Sequence, residues 1–190
     1  MSHDAPQVEV KSRAQLRRWL EKNHAKSKGI WLVSYKKAVP KHYLPYDDIV
    51  EEVLCFGWID SLPRKLDAER SQLYLCPRKK GSPWSRVNKQ RVKKLLKAKL
   101  MTPAGQALID RARGDGTWTI LDDVEDLVIP PDLKQALSAN KTAKKFFEAF
   151  PPSSKKGILW WIKSAKTDAT REKRIATTVA KAAENQRAQG

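Results

Sequence analysis

The sequence predicts an α+β fold: a small antiparallel sheet packed by helices, with an all-helical C-terminal part. Three observations carry this. Short β-rich runs at 30–36, 58–61 and 71–76 alternate with segments of helical periodicity. Beyond Pro130-Pro131 only helical patterns recur. The chain has 190 residues, 41% of them hydrophobic, and seven tryptophans. It is long enough to close a core and too aromatic to be disordered.

Residues 1–11 read as a polar tail. Ser12 and Gln15 form a capping box, and Leu16, Trp19 and Leu20 give the stripe of a helix from Arg13 to Lys22. Ile30 to Tyr35 is rich in β-branched and aromatic residues and reads as a strand. Pro45 opens a second helix, with Asp47, Asp48, Glu51 and Glu52 near the positive end of its dipole and Ile49, Val50, Val53 and Leu54 facing inward. Gly57 closes it. Trp58-Ile59-Asp60 leaves as a short strand that Pro63 interrupts, and Ser71 to Cys76 alternates as a third strand. Ser85 caps a third helix with Val92, Leu95 and Leu96 as its stripe. Thr102-Pro103 starts a fourth, which stops at Gly114.

This divides the chain into a tail, an α+β core over 12–115, an acidic connector over 116–131 and a helical part over 132–190 packed on the core as one unit. In the helical part, short helices are expected at Leu133–Ser138 and Thr142–Phe150. A longer one over Ser154–Ala165 follows Pro151-Pro152, and Thr167 or Asp168 caps a last helix.

Charge is the strongest compositional signal, at +17 overall. Residues 61–100 hold 13 basic and 2 acidic residues, and 141–190 hold 12 and 4. Such a field draws phosphorylated ligands, lipid headgroups or nucleic acid; it also simply keeps a protein soluble. The two cysteines make no disulfide framework. Neither a signal peptide nor a membrane span is legible, so the cytoplasm is the expected location. Scattered histidines and a lone cysteine pair argue against a metal, and no phosphate-binding glycine loop or nucleophile elbow occurs. No cofactor is expected.

Two segments could carry chemistry. In the first, Asp60 is a candidate acid or base at a strand end with Trp58 as a flat wall; the plainer reading makes Trp58 core and Asp60 a turn cap. In the second, Arg78, Lys79 and Lys80 precede Ser82, Trp84, Ser85 and Asn88. A helix N-terminus, hydroxyls and a guanidinium together suit an anion, although the lysines beyond can be a solvated face. In the tail, Trp160-Trp161 precedes Lys163, Lys166, Arg171 and Arg174; Lys163 and Lys166 lie one turn apart and could face one anion.

With these residues laid out, the chain resembles the YdeI/OmpD-associated, or bacteriocin-protection, family. The carrying motifs are Tyr35-Lys36-Lys37, Leu54 to Asp60, Pro77-Arg78-Lys79 with Ser82-Pro83-Trp84-Ser85 and Asn88, Met101 to Gly105, Pro151-Pro152-Ser153, and Trp161 to Lys166 with Thr170-Arg171 and Arg174. They span about residues 12–180. Ser61-Leu62 stands where the family commonly has a glycine. The resemblance implies a bacterial protein of envelope stress or bacteriocin tolerance and carries over no catalytic residue.

Three functions follow as expectations. The first is binding of an anionic small molecule or phosphate group, through Lys36, Trp58, Arg78, Ser82, Trp84, Ser85, Asn88, Lys163, Lys166, Arg171 and Arg174. Nucleic acid is a polyanionic variant of it, requiring the two basic blocks to form one face. The second is a small-molecule enzyme using Asp60, which requires Asp60, Arg78, Trp84 and Asn88 to line one pocket. The third is a homo-oligomer with tryptophans at its interface.

Overall fold

A computed structural model describes residues 4–188. The fold is α+β. The chain divides into two units, Met1–Thr119 and Ile120–Gly190.

The first unit runs β1 (Gln7–Glu9), α1 (Arg13–Asn23), β2 (Ile30–Tyr35), α2 (Tyr46–Cys55), β3 (Trp58–Lys65), β4 (Arg70–Pro77), α3 (Arg86–Lys97) and α4 (Pro103–Gly114). The strand order is β1-β2-β4-β3. Pairing is antiparallel for β2 with β4 and for β4 with β3, but parallel for β1 with β2. Two expectations therefore change. Residues 7–9 are an edge strand rather than tail, and the sheet is mixed rather than antiparallel. Val8 packs on the core and Val10 is buried; a three-residue strand with one apolar side chain is too short to show as a pattern. The helix α1 makes the crossover that a parallel pair requires.

β3 also runs through Pro63 instead of ending before it. A register shift between Asp60 and Pro63 absorbs the proline, and an edge strand can spare its N–H. Ile30, Leu32, Leu73 and Leu75 join the helix residues Leu16, Leu20, Ile49, Val53, Leu95 and Ile109 in one core. Trp31, on the other sheet face, lies under the Arg64 guanidinium, 3.7 Å from the ring centroid.

Two glycines explain two motifs. Gly57 has φ +75° and turns the chain from α2 into β3, and a Cβ there would also meet the Leu108 side chain at 2.6 Å. At Gly105 a Cβ would collide with the Cys55 carbonyl. The Thr102 hydroxyl donates to that same carbonyl at 2.5 Å. Met101 to Gly105 is thus where α4 docks closely on the end of α2.

Glu51 and Glu52, read as dipole carboxylates, are buried. Glu52 accepts from Arg13 Nε and Arg17 Nη1, each at 2.7 Å. Glu51 accepts from Arg13 at 3.1 Å and from Lys94 at 2.6 Å. This network ties α1, α2 and α3 together.

Among the described residues the second unit is all helical: α5 (Asp122–Glu125), α6 (Pro131–Ser138), α7 (Lys141–Ala149), α8 (Pro152–Lys163) and α9 (Asp168–Ala183). Leu133, Phe147, Ile158, Ile162 and Ala182 fill its core. Residues expected in a connector belong to this unit: Val124 is buried, and Leu121, Leu127 and Ile129 pack on the same core. Asn140 and Thr167 cap α7 and α9.

Candidate functional site

Arg78 is the anomaly of the first unit. Its backbone N–H follows the end of β4 and donates to the Gly57 carbonyl at 3.0 Å, which sends the side chain inward. Only 7% of the residue is exposed. The guanidinium lies 3.9 Å from the centroid of the Trp84 ring, and Nη2 donates to the Pro83 carbonyl at 2.5 Å. Nε and Nη1 are buried without a hydrogen-bond partner among the described residues. Burial pulls the Arg78 pKa down to about 10, against the opposing field of the Asp60 carboxylate. A buried guanidinium with two idle donors is costly, and a fold rarely keeps one without use.

A narrow crevice of about 10 Å³ opens beside it, lined by Arg78, Lys79, Ser82, Trp84, Asp115 and Thr117 among others. It holds about one water, or one oxygen of a larger group. Gly81 at its mouth has φ +79° and open space around its Cα.

The other residues of this segment have structural duties. Trp84 is 3% exposed, with Arg78 over its ring and the Trp118 centroid 5.1 Å away. The Ser85 hydroxyl caps α3 by accepting the Asn88 N–H at 3.3 Å. Asn88 Oδ1 accepts from Arg91, whose other nitrogen reaches Asp47. With Lys94 on Glu51, two cations of the basic α3 are spent within the fold. Trp58 is 1% exposed and donates from Nε1 to the His24 carbonyl at 3.1 Å. It is core, not a wall for a ligand.

Asp60 faces a different and larger cavity of about 440 Å³. Tyr35, Tyr43 and Tyr46 contribute aromatic walls; Ser34, Ser61 and Ser71 contribute hydroxyls; Leu44, Ile49, Pro63 and Leu73 contribute apolar surface. The Tyr46 hydroxyl donates to Asp60 Oδ2 at 2.6 Å. Burial and the Asp60 carboxylate push the Tyr46 pKa up to about 12. Lys36 also lines the cavity, but its ammonium donates to the Asp67 and Ala68 carbonyls at 2.5 and 3.0 Å, tying off the β3–β4 hairpin. Asp60, Arg78, Trp84 and Asn88 therefore do not share one pocket. Asp60 lines the large cavity, Arg78 and Trp84 the crevice, and Asn88 neither. Tyr43 and Tyr46 carry no signal in the sequence, because no spacing rule joins positions 35, 43 and 46 to a strand residue at 60.

In the second unit three of the candidate cations, Lys163, Arg171 and Arg174, are engaged. Lys163 bonds both Asp123 oxygens, at 2.6 and 2.7 Å. Burial opposes ionisation of Asp123, yet Lys163 and the Val124 N–H hold its pKa below the usual range. Arg171 forks onto Asp132, Nε to Oδ2 at 2.6 Å and Nη2 to Oδ1 at 3.0 Å. That pairing lowers the Asp132 pKa and raises that of Arg171. Arg174 sits 5.2 Å from the Trp161 ring centroid and donates to the Trp161 carbonyl and the Ser164 hydroxyl. Lys166 is exposed. The two basic blocks fall in different units.

No group of three or more His, Cys, Asp or Glu side chains that could hold a metal occurs among the described residues. Among them, no helix is long and apolar enough to cross a membrane. No curated protein and no solved structure matches the chain. Residues 8–108 match the family described as a domain of unknown function (DUF8412). Residues 126–185 match the family described as bacteriocin-protection, YdeI or OmpD-associated. The motifs from Tyr35 to Gly105 fall in the first match and those from Pro151 to Arg174 in the second. The chain thus belongs, over more than half its length, to that family of unknown function, and its second unit is a YdeI/OmpD-associated domain.

Proposed function

We propose that this protein binds a small anionic ligand through Arg78 and serves in tolerance of bacteriocins or related stress. One observation carries the binding: a guanidinium that is 7% exposed and keeps two donors without a partner. The crevice admits a single oxygen, so a terminal oxygen of a phosphate or carboxylate enters, and the body of the anion stays at the mouth near Lys79 and Ser82. The anion supplies the counter-charge that the fold withholds. Binding then raises the Arg78 pKa back toward the ordinary arginine range.

The protective role rests on the description of the family matched by the second unit. A chain of charge +17 repels cationic peptides. Protection therefore runs through the anionic ligand rather than by capture of the bacteriocin. A cytoplasmic setting accompanies this reading, with Cys55 and Cys76 as free thiols.

The binding is tested by titrating inorganic phosphate and sulfate while following the indole N–H signals of Trp84 and Trp118 by NMR. Saturable shifts at those two indoles are expected, weakened at least about tenfold in Arg78→Met, since charge-assisted bonds contribute about 1.5–3 kcal/mol. Arg171→Ala should leave them intact. Shifts that do not saturate, or that survive Arg78→Met, refute the site. For the biological role, cells lacking the protein should regain bacteriocin survival with the wild type and not with Arg78→Met.

A further inference from the structure

The large cavity shares no lining residue with the crevice at Arg78, and it carries a carboxylate, Asp60. Lys36, the one cation in its lining, is committed to two backbone carbonyls. Asp60 is the carboxylate of that lining. Its Oδ2 accepts from the Tyr46 hydroxyl, and among the described residues no hydrogen bond reaches Oδ1. Tyr35, Tyr43 and Tyr46 line the same cavity, and Leu44, Ile49 and Leu73 provide apolar surface.

We infer that this cavity binds a small organic cation, a protonated amine carrying a short hydrocarbon body. The ammonium would pair with Asp60 Oδ1, the tyrosine rings would offer their negative faces to it, and the hydrocarbon would lie on the apolar lining. Ser34, Ser61 and Ser71 can take the remaining ammonium hydrogens. The volume, about 440 Å³, is that of a metabolite site rather than of a peptide groove. A free anion is disfavoured because it would face the Asp60 carboxylate, while backbone carbonyls hold two of the three Lys36 ammonium hydrogens. A single molecule of +17 charge would thus carry an anion contact and a separate cation pocket.

The test uses the full chain, three probes of matched size, butylammonium, butanol and butyrate, and glucose as a larger neutral polyol. Binding is read from the backbone amide signals of Ser34, Asp60 and Ser71. Butylammonium should shift these amides saturably and bind about tenfold more tightly than butanol, the difference being the charge interaction. Asp60→Asn should reduce butylammonium to the level of butanol, and Lys166→Ala, at an exposed position of the second unit, should leave it unchanged. Tyr43→Ala, at a rim position 40% exposed, should weaken it modestly without disturbing the fold. Equal binding of butylammonium and butanol overturns the inference, as does preference for butyrate or glucose. So does the absence of any shift at those amides.

Discussion

The two units treat their motif cations in opposite ways. In the second, Lys163 and Arg171 meet Asp123 and Asp132, and Arg174 is held by a carbonyl, a hydroxyl and an indole. In the first, Arg78 is more deeply buried than any of these and has one carbonyl and one ring for company. Both sets read alike in sequence, as basic residues next to tryptophan. The difference teaches that a basic motif is a candidate site where its charge stays unanswered. Answered charges are fastenings of the fold.

The comparison can be broken first by unpairing a cation that the fold does answer. Glu52 is 2% exposed and serves both Arg13 and Arg17. Glu52→Ala should destabilise the first unit by about 3 kcal/mol, because it breaks a buried ion-pair network, leaving Arg13 only Asp48 and Glu51 and Arg17 only Glu21 as carboxylate partners. The midpoint of urea unfolding measures this. Arg78→Met reverses the logic. It removes a charge already stranded and keeps a side chain of similar length against Trp84, so stability should change by under about 1 kcal/mol while anion binding is lost. If both variants unfold equally easily, Arg78 is as structural as Glu52 and the contrast between paired and unpaired cations fails.

A smaller effect sharpens the other side. Arg171→Ala cuts the fork onto Asp132, whose side chain is 43% exposed. About 1 kcal/mol of stability should go, reduced further by salt. Unfolding curves in low and high salt give the number. The Asp132 pKa should rise at the same time, since Arg171 is the main reason it lies low.

Sequence showed the framework well and the site only in part. The caps at Ser12, Ser85, Thr102 and Thr167 each accept the N–H that the pattern demands. Gly57 turns the chain where its position after the α2 stripe predicts. Local rules reach this far because caps and turns are decided within four residues. The pairing of Lys163 with Asp123, and of Arg171 with Asp132, spans 40 and 39 positions. No periodicity links residues that far apart, so these cations looked free. In sequence Arg78 reads as part of a basic loop that runs into a helix start; that it lies inside, against Trp84, depends on how β4 and the Gly57 turn meet. The cavity around Asp60 draws on β2, the loop after it, α2, β3 and β4, and was invisible for the same reason.

The smallest test concerns how Asp60 differs from Asp132. Asp132 is answered by a cation, whereas the hydrogen bond to Asp60 comes from the phenol of Tyr46. Burial and that bond raise the folded Tyr46 pKa from 10.0 to about 12. A raised pKa means that the fold prefers the protonated phenol. Its contribution to stability is complete below the unfolded value of 10.0 and disappears as pH climbs through about 12. Tyr46→Phe should therefore flatten the fall in stability across that alkaline window. Asp60→Asn should move the phenol titration, followed by phenolate absorbance, to lower pH, because the carboxylate is part of what holds the proton in place. If the titration stays where it was, burial alone sets the Tyr46 pKa. Asp60 would then need neither the phenol nor an amine, and the electrostatic distinction between the cavity and the crevice would lose its main support.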